Sequence, residues 1–253
     1  MIGSRLTSIS LLVVLVLIWE GWLALTDVSA LLVPPPSAVM AVLWTGLTQG
    51  FLWPHIWVTV IETVLGFALG STIGFAFGVL LSEVSFLRRI VWPYILASQV
   101  VPKLALGPIL IVWFGFGLTS IVIITALICF FPLLENTVTG VRSAPSDQRD
   151  LFRVLGATRM QTLFRLKIPA GLPLILAGVR VAVVLALVGA VVGEFISGGQ
   201  GLGASIIAAQ GMMDTTLMFA LFIIITIVGM LFYQLTIIIE RRLFRGWQRR
   251  NDT

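Results

Sequence analysis

Glu62 and Lys103 each sit inside a long apolar run, and Glu194 follows another at the head of a glycine-rich loop. An ion placed in hydrocarbon is costly unless it faces a polar cavity or a partner. A carboxylate and an ammonium held this way can hydrogen-bond a polar solute on its way through. They can equally pair with each other or with a loop, and both readings stand at this point. Lys103 follows Pro102 and precedes Gly107 and Pro108, and interrupted helices tend to line cavities. Arg180 either snorkels to the nearer membrane face or meets a solute. His55, the single histidine, has no metal partner in view and reads as an interfacial side chain.

Covalent and metal chemistry find no support. A phosphate-binding loop needs glycines and a lysine followed by Ser or Thr. The two lysines are followed by Leu104 and Ile168. With one histidine, one cysteine (Cys129) and scattered carboxylates there is no ligand spacing for a metal, no disulfide within the chain, and no nucleophile elbow or triad. No catalytic residue and no metal ligand is expected.

The longest polar stretch runs over 146–173. Ser146 or Asp147 can cap a helix to about Leu155, with Leu151, Val154 and Leu155 on one face and Arg149 and Arg153 on another. Gly156 ends it. Thr158 can cap a second helix to about Ile168, and Pro169 and Pro173 frame the next apolar run. Such a pair can lie on lipid headgroups or offer a docking surface to another protein.

Those elements belong to a membrane protein. Of 253 residues, 58% are hydrophobic and 11% charged, against roughly 25% charged in soluble domains. The net charge of +5 falls between apolar runs, which favours a lipid surface over nucleic acid. Six spans are expected at about 9–25, 56–81, 94–116, 119–139, 172–192 and 217–239, in one domain covering 1–253, with the polar segment 146–169 between the fourth and fifth. Val28-Ser29-Ala30 looks like a cleavage site, but the 9–25 run is longer than a signal core, so an uncleaved first span is expected.

Every Lys and Arg except Lys103 and Arg180 then collects on one side, with both termini. The positive-inside rule makes that side cytoplasmic. Outside, Pro34-Pro35-Pro36-Ser37 leads into a short helix that Ser37 can cap, and Trp44, Trp53 and Trp57 suit an interfacial belt. Gly66, Gly70, Gly74 and Gly78 form one smooth face for close helix packing. Ala182, Ala186 and Ala190, with Gly189 and Gly193, repeat the device.

The polar stretch resembles the cytoplasmic motif of ABC-importer permeases: Glu-Ala-Ala, three residues, Gly, nine residues, Ile, one residue, Leu-Pro. Asp150-Leu151-Phe152 stands at the triplet, Gly156 at the glycine, Leu166 at the isoleucine and Ile168-Pro169 at Leu-Pro. The departure is at Leu151 and Phe152, bulky where the family has alanine. Pro34 to Ser37, Thr59 to Phe67, Pro102 to Pro108 with Trp113-Phe114-Gly115, and Gly193-Glu194 with Gly201-Leu202-Gly203 are similar to the nitrate/sulfonate/taurine-type permeases. The pairing of Glu62 with Pro102-Lys103 looks like the branch handling pyrimidine-like and riboflavin-like vitamin precursors.

That resemblance implies an all-α bundle of six transmembrane helices with a cytoplasmic coupling helix, in the inner membrane of a bacterial or archaeal cell. It implies a second permease copy or paralogue, an extracytoplasmic solute-binding protein and ABC ATPase subunits. The ATPases would bind ATP and Mg, and this chain would carry no cofactor. Asp150, Leu151, Phe152, Arg153, Gly156, Ala157, Thr158, Arg159 and Pro169 would couple to them, and Glu62, Lys103 and Glu194 would border the solute's path. Ile196-Ser197-Gly198-Gly199-Gln200 looks like an ABC ATPase signature loop, but it is read as coincidence, having no phosphate loop to work with. The alternative is a secondary transporter driven by an ion gradient. It would call for inverted repeats, and none is evident.

Overall fold

The computed structural model describes the backbone of residues 2–251 apart from 27 and 30, and the side chains of 7, 10, 11, 13–26, 28, 29 and 31–242. Arg5, Arg245, Arg249, Arg250 and Ala30 of the cleavage-like site lie outside these. The described elements are all helical: α1 (Ile2–Leu25), α2 (Pro36–Thr48), α3 (Trp53–Glu83), α4 (Ser85–Val100), a 3₁₀ turn (Lys103–Leu106), α5 (Gly107–Phe114) and α6 (Leu118–Arg142). Then come α7 (Ser146–Val154), α8 (Arg159–Thr162), a π-turn (Leu163–Lys167), α9 (Ile168–Ser197), α10 (Leu202–Gly211) and α11 (Thr215–Asn251).

The centre is a trio, with α6 packed against both α3 and α9. Without water to drive them together, helices in lipid associate through close packing, and glycine permits it. A methyl group added at Gly70, Gly74 or Gly78 would stand 2.6 Å from Cys129 Sγ, the Phe130 carbonyl oxygen or Thr137 Cβ of α6. Gly66 meets Thr125 in the same way. The α6 helix also receives α9: Gly189 lies against Thr125, Gly193 against Ile121, and Gly171 against Gly140 backbone to backbone. Ala182, Ala186 and Ala190 are fully buried. Both small-residue faces expected from the sequence are packing surfaces.

At the end away from the arginines, α2 and α10 cover α11 through Val39, Leu43, Leu202, Ile206 and Leu221. The N-terminus of α2 is held from another helix. Glu20 of α1 accepts the Ser37 backbone N–H at 3.0 Å and its hydroxyl at 2.7 Å. Ser37 is therefore not the cap; Pro35 holds that position, with Pro36 opening the helix, where its missing N–H costs nothing.

Among the described residues four helices are long and apolar enough to cross a membrane: Trp53–Glu83, Leu118–Arg142, Arg159–Ser197 and Thr215–Arg242. The expected third span, 94–116, is not one helix. Ser85–Val100 and Lys103–Phe114 meet at 83°, and the pair makes a fifth crossing if counted as one. The bend falls at Val101 and Pro102, both extended, because proline disfavours helix at the residue before it. The expected first span falls on α1, where the apolar part among the described residues is Val13–Leu25.

Replacing Gly70 with Leu drives a side chain into the α6 backbone, so we expect a loss of about 1–3 kcal/mol or more. Thermal unfolding of the detergent-purified protein measures it. Gly21→Leu on α1, which meets nothing within 4 Å, leaves the midpoint unchanged.

Candidate functional site

The end of the bundle away from the arginines carries a buried polar knot. His55, Thr59 and Glu62 recur on α3 at i, i+4 and i+7, hence on one face. That face meets the loop between α9 and α10, where Gly198, Gly199 and Gly201 take φ of +66°, +91° and +127°. The leading N–H groups of α10 have no carbonyl behind them within the helix, and side chains of α3 and α9 take three of them. The Gly201 N–H donates to His55 Nδ1 at 3.2 Å, Leu202 to Thr59 Oγ1 at 2.8 Å, and Gly203 to Glu194 Oε2 at 2.5 Å. The Thr59 hydroxyl donates to Glu194 Oε1 at 2.6 Å.

Glu194 is fully buried, and it sits where a helix N-terminus favours negative charge. A methyl group at Gly201 would lie 2.5 Å from either Glu194 oxygen. The glycine is required both for its positive φ and for the approach of the carboxylate. In the sequence Glu194 was marked by the Gly193-Glu194 resemblance, Thr59 stood only at the start of a resembling stretch, and His55 read as an interfacial side chain. The signal for Thr59 and His55 was helical spacing opposite a glycine-rich loop.

Glu62 shares the Thr59 face of α3 and stands beside Glu194. Glu62 Oε2 is buried and has no partner. The residue lines a cavity of about 380 Å³ with Val58, Ile61, Phe116, Leu118, Ile121 and the loop from Ser197 to Gln200. No basic side chain lines this cavity.

Lys103 does not pair with Glu62. Its Nζ stands over the Phe131 ring of α6, 4.5 Å from the centroid, a cation–π contact that shelters charge at the bend. Arg180 reaches Glu240 of α11 at 3.4 Å, so it has a protein partner.

At the arginine-rich end, α7 has an exposed apolar face: Leu151 is 56%, Val154 84% and Leu155 72% accessible. Arg153 and Asp150 pair at 3.5 Å beside it. Pro145, not Ser146 or Asp147, holds the cap position. Gly156 turns the chain at φ +69°. Thr158 then begins α8 with a capping box: its hydroxyl accepts the Gln161 N–H, and the Gln161 side chain accepts the Thr158 N–H. This second helix does not stop at Ile168. It runs on through the π-turn into α9, one helix over Arg159–Ser197. Pro169 falls at the first turn of α9, directly after the wider π-turn. Proline lacks the N–H a helix interior needs, and a π-bulge relieves such a break. Lys167, in that turn, bonds Glu83 of α3 at 2.7 Å.

Comparisons with known proteins give the family and the fold. The family described as binding-protein-dependent transport system inner membrane component matches residues 66–248. The chain belongs to this family. It is 38% identical over 237 residues to a riboflavin transport system permease protein, RibX, of Chloroflexus aurantiacus, covering 94% of this chain and 88% of that one. A formylaminopyrimidine transport permease, ThiX, of Halalkalibacterium halodurans is 34% identical over 217 residues, 86% of each. A putative aliphatic sulfonates transport permease, SsuC, of Bacillus subtilis is 31% identical over 232 residues, 92% of this chain and 84% of the other. The fold is that of a solved MetNI methionine ABC transporter in an inward-facing conformation, with TM-score 0.69, 19% identity, and coverage of 77% and 98%.

This permease is thus a multi-pass transmembrane subunit of an ABC importer, within the nitrate/sulfonate/taurine-like group. Its family consists of transport components, not enzymes, and the reading as an ion-gradient-driven transporter falls away.

Thr59→Val removes both the donor to Glu194 and the acceptor of the Leu202 N–H. We expect a loss of about 1–3 kcal/mol, read as a lower unfolding midpoint and faster proteolysis in the 198–201 loop.

Proposed function

We propose that this permease passes an uncharged, N–H-bearing heterocycle, and that the segment 146–169 couples it to ATPase subunits. The observation that carries the solute class is Glu62. Its Oε2 is a hydrogen-bond acceptor without a partner, at the wall of a cavity otherwise mostly apolar. A buried acceptor favours a solute that brings a donor. With no cation in the lining and two carboxyl groups adjacent, an anion is disfavoured there. Relatives are named for riboflavin and formylaminopyrimidine transport on one hand and for sulfonates on the other, and the Glu62 cavity supports the first group. Glu194 enters the pathway through its contact with Glu62, and Lys103 by standing at the bend that opens α4 from α5.

The coupling reading rests on Leu151, Val154 and Leu155, an apolar face turned away from the bundle on an otherwise polar helix. Gly156 at one end and the Lys167–Glu83 bond beyond it hold this surface against α3 and α9. Phe152 is half-buried where the family has alanine, so the departure at the triplet shapes this docking face. An ATPase subunit on each of two permease copies would bind ATP, close, and draw the segments together, switching access across the membrane. The basic end faces the cytoplasm with both termini, and a solute-binding protein delivers cargo to the opposite end.

Leu151→Glu and Leu155→Glu change exposed side chains, so the protein reaches the membrane at its usual level. ATPase co-purification and uptake both fall by about tenfold or more, the effect of an interface anchor. In reconstituted vesicles with the cognate binding protein, Glu62→Met, which removes the acceptor, slows uptake of flavin or aminopyrimidine by about tenfold, a buried hydrogen bond's worth. Lys103→Ala slows it as well. Uptake of a sulfonate by the unaltered assembly would sink the solute assignment and leave the coupling assignment standing.

A further inference from the structure

Arg88 and Arg89 lie in the first turns of α4, and Arg142 closes α6. With Trp92, Pro93 and Val138 they line an open cavity of about 670 Å³, the largest among those described. No carboxylate lines it, and none of the three arginines has an ion-pair partner among the described residues. The acidic residue nearest in sequence to α4, Glu83, is already bonded to Lys167 at 2.7 Å. Like charges gathered without a counterion repel one another, so the cavity has a standing demand for an anion. Guanidinium groups meet phosphate oxygens with paired, matched N–H donors.

The surroundings distinguish a lipid from a free ion. One wall of the cavity is apolar, and Phe86 and Ile90, beside the two arginines on α4, are exposed apolar side chains. The cavity lies at the arginine-rich end of the bundle, where spans leave hydrocarbon for headgroups. We propose that it seats the headgroup of an anionic phospholipid, its phosphate held by Arg88, Arg89 and Arg142 and its acyl chains running along α4. Such basic pockets between spans suit cardiolipin or phosphatidylglycerol. The inference rests on the membrane placement of the permease and not on its solute.

The test uses the assembled transporter, purified with its ATPase subunits and placed in nanodiscs of phosphatidylcholine alone or doped with phosphatidylglycerol or cardiolipin. Native mass spectrometry of the released complex should show anionic lipid retained in preference to phosphatidylcholine. Retention should weaken by about fivefold for each arginine changed to glutamine at 88, 89 and 142, and Arg→Lys at the same positions should restore part of it. Arg241→Gln with Arg242→Gln, residues that do not line the cavity, should leave retention as it was. Should the triple variant fail to assemble, the single Arg142→Gln variant carries the same reading. Equal retention of all lipids would overturn the proposal. So would displacement of the lipid by millimolar inorganic phosphate, which would assign the cavity to a free ion. Loss of ATPase subunits from Arg142→Gln with lipid retention unchanged would assign it to a protein contact instead.

Discussion

Close approach of α3 and α9 to α6 is the contact on which the other features depend. At Thr125 the α6 helix is met by Gly66 of α3 and by Gly189 of α9. Leucines at those positions would force the helices apart, since interaxial distance follows the side chains at the contact. With α3 and α9 clamped in register, His55 and Thr59 of one meet Glu194 of the other and the loop that follows it. At the arginine-rich end the same clamp brings Glu83 to Lys167. Both polar contacts cross between helices that the glycines hold together.

The knot at Glu194 shows how a buried carboxylate becomes tolerable. Its oxygens meet a hydroxyl from α3 and a backbone N–H at the start of α10. Hydrogen bonds of this kind replace the water that the group loses on burial. Glu62, one helical turn below Thr59, stands outside this arrangement with an oxygen free. One carboxyl group is held by the architecture and its neighbour keeps an unpartnered oxygen, and geometry, not residue type, makes the difference.

Most of the fold was legible because its signals are local. Apolar length marked the long spans, helical spacing marked both small-residue faces, and Thr158 was readable as a helix cap, which the folded chain completes as a capping box with Gln161. The misses came from contacts distant in sequence. Glu20 capping Ser37 links two helices, and no local rule anticipates it. The 83° bend could be suspected from Pro102, but its size depends on how α4 and α5 pack beside α6. Lys103 and Glu62 were the natural opposite charges to join. Only the folded chain shows Lys103 over Phe131 and Glu62 beside Glu194. Gly156 and Pro169, whose roles depend on backbone geometry alone, were read from spacing.

The unbroken helix Arg159–Ser197 has a mechanical consequence. Its 39 residues extend for about 58 Å at 1.5 Å per residue, roughly twice the thickness of a hydrocarbon core. One end carries the capping box behind Gly156, and the other ends at Glu194 and Ser197 beside the cavity. No flexible loop lies between them to absorb a displacement. For a rod of that length one degree of tilt displaces the far end by about 1 Å, and the Lys167–Glu83 bond ties its near end to α3.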